Sequence, residues 1–311
     1  MKTTIAVPAD GVPAAAALLS AGEIVGLPTE TVYGLGADAL NAVACAKVFE
    51  AKGRPLSDPL IVHVGSLAAA ERIAVFGGTA RRLAQCYWPG PLTLVLPRRD
   101  IVPDIVTAGH GTVAVRVSSH PVFQEIIARF DGPVAAPSAN RFGRISPTTA
   151  GDVVAELDGR VSLVVDGGPC AHGIESAIVH VDGEDLSVLR NGPVTREELE
   201  GFGRVAGRVG GVVVPGALKS HYAPRTPLVI VGDVPAPQRG RGLLAWRHDG
   251  AGYDRVERLS RSGDLREAAA NLFGAMRRLD GAGLELIIAE ALPERGLGAA
   301  IMERLHKAAA R

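Results

Sequence analysis

Two pairs of side chains have types and spacing that can do chemistry. Lys52 and Arg54 flank Gly53 in KGRPLSDPLIVH (52–63), and Ser138 and Asn140 flank Ala139 in SANRFGRISPT (138–148). Arginine presents a planar fork that matches phosphate, and lysine presents a compact charge. A hydroxyl and an amide add neutral hydrogen bonds. Such a set holds an anion by placed charge and supplies no protein nucleophile. The sequence contains no Walker A loop, HExxH, GxSxG or CxxC motif to compete with that reading. Arg54 precedes Pro55, which biases it toward extended backbone. In an extended exit, residues two apart point the same way, so Lys52 and Arg54 are expected to converge on one anion. The alternative is a solvated helix C-terminus favoured by the macrodipole. By the same spacing Ser138 and Asn140 are expected to face one ligand, with a helix cap or turn as the alternative.

Other segments offer neighbours. In 112–117 (TVAVRV), Val113, Val115 and Val117 share one strand face, and Thr112, Ala114 and Arg116 share the other. Leu60, Val62 and Val64 alternate with Ile61 and His63 in the same way. In PTETVYG (28–34), an extended chain would point Thr29, Thr31 and Tyr33 to one side. GGPCAHGIESAIVHV (167–181) places a glycine-rich loop before a strand, where backbone N–H groups can approach an anion. The carboxylates of these segments, Glu30, Asp58, Asp166 and Glu175, form no close pair, so glycosidase-type acid–base chemistry is not indicated. No His/Cys group has structural-metal spacing.

The elements that must position these residues follow from periodicity. Helices are expected over 13–21, 42–52, 122–130 and 149–157, the second ended by Gly53 and Pro55. Strands are expected over 23–27, 60–64, 92–96, 113–117, 163–165, 177–181 and 186–190. Their irregular alternation with helices predicts a mixed α/β sheet. A stretch rich in Gly, Pro and basic residues then reads as a linker. Beyond it come strands 228–232, 242–246 and 285–289 and helices 264–279 and 297–309. Leu265, Ala268, Ala269, Leu272, Phe273, Met276 and Leu279 share one helical face. The expected division is a catalytic unit over 1–205, a linker over 206–227 and a small α/β domain over 228–311.

Bulk properties narrow the class. The 311 residues are 47% hydrophobic and 21% charged, an ordinary globular balance. Lys+Arg and Asp+Glu both number 33, so a broad electrostatic grip on nucleic acid is not indicated. Cys45, Cys86 and Cys170 are isolated and read as small buried hydrophobes in a reducing cytoplasm. No apolar run approaches the roughly 18 residues of a membrane span, and MKTTIAVPAD lacks the apolar core of a signal peptide.

Taken in order, PTETVYGLGADA, KGRPLSDPLIVH, WPGPLTLVL, VAVRV, APSANRFGRISPT, GIESAIV, the Arg190-Asn191-Gly192 turn and SHYAP resemble the threonylcarbamoyl-AMP synthase family, whose catalytic unit is the YrdC-like domain. Single pieces are weak signals, but eight in order are specific. They cover roughly residues 10–225, and GLGAAIMERLHKAA resembles the tail of the two-domain form. The resemblance implies a twisted mixed-sheet YrdC-like domain of α/β (α+β) class plus a small Rossmann-like α/β domain. It implies that L-threonine, bicarbonate and ATP, with Mg²⁺, give threonylcarbamoyl-adenylate and pyrophosphate. Other tRNA-modifying transferase proteins then carry the threonylcarbamoyl group to adenosine 37 of tRNA, with direct tRNA contact left open.

Residue by residue, the resemblance places Thr31, His63, Arg116, Ala136 and Ser176 on the threonine side. It places Lys52, Arg54, Asp58, Thr112, Ser138, Asn140, Ser146, Arg190 and Tyr222 on ATP, with Lys52 and Arg54 acting in catalysis through charge. Tyr222 would reach back from the linker and close the nucleotide site. Asp58 stands where the family commonly has Asn or His, and a carboxylate there would repel phosphate unless it faces a metal, an amine or solvent. Ala177 stands where Thr is common. Three other readings compete. YrdC-like domains also serve carbamoyl transfer in larger hydrogenase-maturation proteins, but this chain lacks their CxxC segments. An RNA-binding module is weakened by zero net charge and 4% aromatic residues. A regulator sensing through 228–311 would need a ligand that the sequence does not name.

Overall fold

A computed structural model describes residues 2–206, 214 and 221–310. The linker expected over 206–227 therefore lies partly outside the described residues, at 207–213 and 215–220. Eleven strands form one mixed sheet: β1 (Thr4–Ala6), β2 (Val25–Leu27), β3 (Gly34–Asp38), β4 (Ile61–His63), β5 (Leu92–Pro97), β6 (Thr112–Arg116), β7 (Val134–Ala135), β8 (Leu163–Val165), β9 (Ala177–Asp182), β10 (Asp185–Arg190) and β11 (Arg204–Ala206). Their spatial order is β1-β8-β2-β3-β7-β4-β6-β5-β9-β10-β11. The helices of this part are α1 (Pro8–Ser20), α2 (Ala42–Lys52), α3 (Leu67–Ala70), α4 (Gly78–Tyr87), α5 (Asp104–Thr107), α6 (Pro121–Phe130), α7 (Ala150–Leu157) and α8 (Arg196–Leu199).

Alternation along the strands sends side chains to two unlike faces. Val62, Val113, Val115 and Leu94 meet Val48 and Phe49 of α2, Leu83 of α4 and Val153 of α7. On the opposite face α1 and α6 cover only one half, packing Val12, Leu19, Phe123 and Ile126 on Val25, Leu27 and Val165. The other half bears Ile61, Val95, Ala114, Ile178 and Leu189, and Val214 lies buried on it. The boundary between these halves is where the sheet can receive a ligand.

Expected helices and strands recur within a few residues. β3 was not expected, because Gly34 and Gly36 weaken a strand signal. A Cβ on Gly36 would lie 2.5 Å from Leu27 Cδ1, so glycine is what lets β2 and β3 pack. PTETVYG is not extended as expected. Thr29 Oγ1 accepts from the N–H groups of Thr31 and Val32 and bends the chain. Tyr33 turns into the core, donating to Gly168 O at 2.8 Å, and leaves Thr29 and Thr31 behind. Cys45 and Cys170 are buried, but Cys86 is exposed, since α4 buries Ala80, Leu83 and Ala84 and turns Cys86 outward.

The remaining strands β12 (Leu228–Val231), β13 (Arg241–Ala245), β14 (Arg255–Arg258) and β15 (Leu286–Glu290) form a parallel sheet of order β12-β15-β13-β14. Helices α9 (Leu265–Asp280) and α10 (Leu297–Ala309) cover it. The expected face of α9 is buried, and it also packs on Val32, Ile145 and Ile174 of the first part. Arg277 pairs with Glu156 at 3.1 Å and Arg144 with Asp280 at 3.3 Å across the same contact. Among the described residues no helix is long and apolar enough to cross a membrane.

Candidate active site

Strand register builds the first wall. β4 and β6 run parallel with His63 opposite Arg116. With the valines committed to the core, both side chains emerge on the half-covered face. Arg116 is almost wholly buried. It donates through Nη1 to Thr31 Oγ1 at 2.9 Å and through Nε to Gly90 O at 3.3 Å, and Nη2 lies 2.7 Å from Glu30 Oε1. The Ser118 hydroxyl donates to the other oxygen of Glu30. Burial alone would raise the Glu30 pKa, but Arg116 and Ser118 outweigh it and bring it down to about 2. His63 goes the other way. Burial and then the Arg116 charge push it down to about 3, so its imidazole is neutral at pH 7. Its ring meets the Phe123 ring edge-on at 5.3 Å, and its Nδ1 has no partner.

Helix α2 delivers the cations. Asn41 caps its start by accepting from the N–H groups of Val43 and Ala44, and Gly53 ends it in the left-handed region at φ 63°. That turn replaces the extended exit expected from spacing, so Lys52 and Arg54 do not run side by side. Lys52 Nζ donates to Ser138 O at 2.5 Å and Asn140 O at 2.6 Å, pinning the SAN loop from behind. Burial and then Arg54 push its pKa well below the usual lysine value. Arg54 instead reaches the cavity. Its Nε donates to Asp58 O at 3.0 Å and its Nη2 to Pro59 O at 2.7 Å, and Asp58 Oδ2 lies 3.0 Å from Nη2. Asp58 therefore faces a guanidinium and aims it, which answers the repulsion expected at that position.

The third wall comes from the loop before β9 and the end of β10. Arg190 Nε donates to Ser176 O at 3.0 Å and its Nη2 to Ser176 Oγ at 3.1 Å. Ser176 Oγ also lies 2.8 Å from Thr93 Oγ1. Ser146 donates to Glu175, whose other oxygen pairs with Arg304. His221 and Tyr222 close the top. Tyr222 is buried with φ 61°, a conformation that costs a bulky residue about 1–3 kcal/mol. Its backbone is held there because the Ala223 N–H donates to Gly143 O at 2.8 Å. His221 is pushed down to about 3, first by burial, and sits 4.2 Å from the Tyr222 ring.

Of the expected residues, Thr31, His63, Arg116, Ala136, Arg54, Ser138, Arg190 and Tyr222 line one cavity of about 40 Å³. Lys52, Asp58, Ser146 and Ser176 stand behind it, each bonded to a lining segment. Asn140 does not face a ligand beside Ser138. Its Nδ2 donates to Arg141 O and Arg144 O within its own loop, while its buried Oδ1 has no partner. Thr112 shares the Arg116 face but lies four residues, about 13 Å, down β6, outside the cavity. Sequence reasoning missed Glu30, Glu175, Ser118, His221 and Arg304. The carboxylates Glu30 and Glu175 form no catalytic pair, and their partners are arginines far away in sequence.

Known proteins resemble this chain over most of its length. Residues 17–192 match the Sua5/YciO/YrdC family model, described as "Telomere recombination", and residues 194–310 match "Threonylcarbamoyl-AMP synthase, C-terminal domain". The threonylcarbamoyl-AMP synthase of Bacillus subtilis is 41% identical, with 95% of this chain and 92% of that protein covered. The one from Pyrococcus abyssi is 38% identical, over 94% and 92%. The crystal structure of P. abyssi Sua5 complexed with L-threonine superposes with a TM-score of 0.90 at 35% identity, over 99% of this chain and 98% of that one.

Proposed function

The chain belongs to the threonylcarbamoyl-AMP synthase family in its two-domain form, and we propose that it condenses L-threonine, bicarbonate and ATP to threonylcarbamoyl-adenylate and pyrophosphate. The observation that carries this reading is one cavity walled by two sets of buried guanidinium groups. Arg116 sits beside neutral His63 at one end. Arg54 and Arg190 bring two guanidinium charges together at the other, a grouping that suits an anion.

Threonine is assigned to the Arg116 end. A guanidinium has five N–H donors, and Thr31, Gly90 and Glu30 leave some for a carboxylate. Neutral His63 accepts an N–H or O–H from the amino acid without repelling its amine. The amine adds to bicarbonate-derived CO₂, giving a carbamate. A carbamate oxygen then attacks the α-phosphorus, the bond to the bridging oxygen breaks, and pyrophosphate leaves. The protein's part is to place the reactants and to meet the spreading negative charge with Arg54, Arg190 and the loop that Lys52 pins. Ala136 borders the threonine through backbone, and Ser176 and Ser146 hold the walls.

A cavity of about 40 Å³ admits a few waters and no nucleotide. The strap of His221 and Tyr222 must withdraw for ATP to enter. Lifting Val214 with it would uncover Ile61, Ala114, Ile178 and Leu189, an apolar floor suited to an adenine ring, with Thr112 at its far edge. Among the described residues no three His, Cys, Asp or Glu side chains group to hold a metal. The carboxylate lining the cavity, Glu175, is already engaged by Arg304 and Ser146. Mg²⁺ is therefore assigned to the ATP phosphates as part of that substrate. The product would pass in the cytoplasm to transferase proteins that modify adenosine 37 of tRNA. Incubation with ATP, L-threonine, bicarbonate and Mg²⁺ should yield threonylcarbamoyl-adenylate by mass spectrometry. ATP turnover that ignores threonine would overturn the reading.

A further inference from the structure

Helix α10 carries an arginine where its apolar stripe runs. Ala300, Ile301, Leu305 and Ala308 are buried on one side, and Arg304 lies among them with 0% exposure. A buried guanidinium is tolerated only where its donors and charge are matched. Within α10, Arg304 meets Ala300 O one turn back and Glu303 Oε2 at 3.7 Å from Nη1, and its other partners lie outside the helix. Nε pairs with Glu175 Oε2 at 3.1 Å, Nη1 donates to Asn191 O at 2.5 Å and Nη2 to Glu175 O at 3.4 Å. The guanidinium carbon also lies 5.8 Å from the Tyr222 ring centroid, within cation–π range. The adjoining residues repeat the pattern. Glu303 Oε2 accepts from Asn191 N at 3.0 Å and from Asn191 Nδ2 at 2.8 Å, and Lys307 O accepts from His221 N at 3.2 Å.

These anchors all border the end of the cavity assigned to ATP. Asn191 follows Arg190, Glu175 lines the cavity and holds Ser146, and His221 and Tyr222 close it. The geometry points to Arg304 as a positioning residue for nucleotide binding, through which the C-terminal unit keeps the Arg190 turn, Glu175 and the Tyr222 strap in register. The inference rests on the proposed adenylate-forming reaction. Arg304 reaches no reacting atom, since Glu175 and Tyr222 stand between it and the cavity. Among the described residues the hydrogen bonds of Thr31 and Arg116 run to Thr29, Gly90 and each other, and Ser176 keeps Thr93 and Arg190 as partners.

That separation gives a test that a merely structural arginine would not pass. Full-length Arg304→Met, Arg304→Lys and Glu303→Gln would be titrated separately with a non-hydrolysable ATP analogue and with L-threonine. Loss of a charge-assisted contact predicts that Arg304→Met binds the analogue roughly 10–100-fold more weakly. L-Threonine affinity should stay within about twofold of the parent. Arg304→Lys, which keeps the charge, should recover part of the loss, and the KM for ATP in pyrophosphate release should rise in step. Equal losses for both ligands, or unchanged analogue binding in a folded Arg304→Met protein, would overturn the inference. If Arg304→Met does not fold, Glu303→Gln decides by the same split, because its side chain is partly exposed. A parent protein that binds the analogue yet releases no pyrophosphate would refute the proposed reaction, while the split would still decide the role of Arg304.

Discussion

Glu30→Gln keeps the side-chain shape and removes the charge that Arg116 faces. The folded Glu30 carboxyl titrates at about 2 against an ordinary 4.5, a gap of about 2.5 pH units. At about 1.36 kcal/mol for each pH unit, ionised Glu30 contributes on the order of 3 kcal/mol of stability at pH 7. Removing one member of a buried ion pair costs about 3–5 kcal/mol, the same order. Because the folded value is the lower one, this stability is fully present above pH 4.5 and is lost as pH falls through about 2. Linkage puts the charge-dependent part on the order of 1 kcal/mol at pH 3. Gln mimics the protonated acid, so the gap between parent and variant should narrow by about 2 kcal/mol between pH 7 and pH 3. The chain has two tryptophans, Trp88 and Trp246. In a Trp246→Phe background, urea unfolding followed by fluorescence reports on Trp88 alone, in the part of the chain that holds the pair. A gap below 1 kcal/mol at pH 7, or one that does not change with pH, would refute the claim that Arg116 holds Glu30 ionised.

Three further outcomes follow from the geometry. Lys52→Ala frees the Ser138 and Asn140 carbonyls and lets the loop shift, and pyrophosphate release should fall roughly 10²-fold with little change in fold by circular dichroism; near-parental rates would remove Lys52 from the mechanism. Gly192→Ala would put a Cβ 2.1 Å from Ala177 N and 2.6 Å from Ser176 C, all backbone, so the Arg190 turn must shift. We expect about 1–3 kcal/mol of destabilisation and weaker ATP-analogue binding, and an unchanged melting temperature would contradict this. Of the three cysteines only Cys86 is exposed, so an aromatic disulfide reagent should titrate one fast thiol per native chain and three after denaturation.

What the sequence made legible was local, and what it hid was pairing across long separations. The alternation in TVAVRV and LIVHV is a property of five or six residues, and it separates the core valines from His63 and Arg116. The same logic failed for Lys52 and Arg54, because one left-handed glycine between them reversed the chain direction that spacing assumes. Asp58 was read as a threat to phosphate because its partner could not be assigned from sequence, although that partner is the arginine four residues before it. Glu30 and Glu175 were set aside because no second carboxylate stood nearby, when buried carboxylates here answer to Arg116 and Arg304, 86 and 129 residues away. Arg304 did leave a trace, an arginine in phase with Ala300, Ile301, Leu305 and Ala308 on a helix otherwise apolar on that side. A charge in phase with a buried stripe must find a partner, so its presence predicts that some other segment of the chain brings a carboxylate to it. The segment is the loop carrying Glu175, and because that loop is also a wall of the cavity, the helix that looked least concerned with chemistry braces the end assigned to the nucleotide.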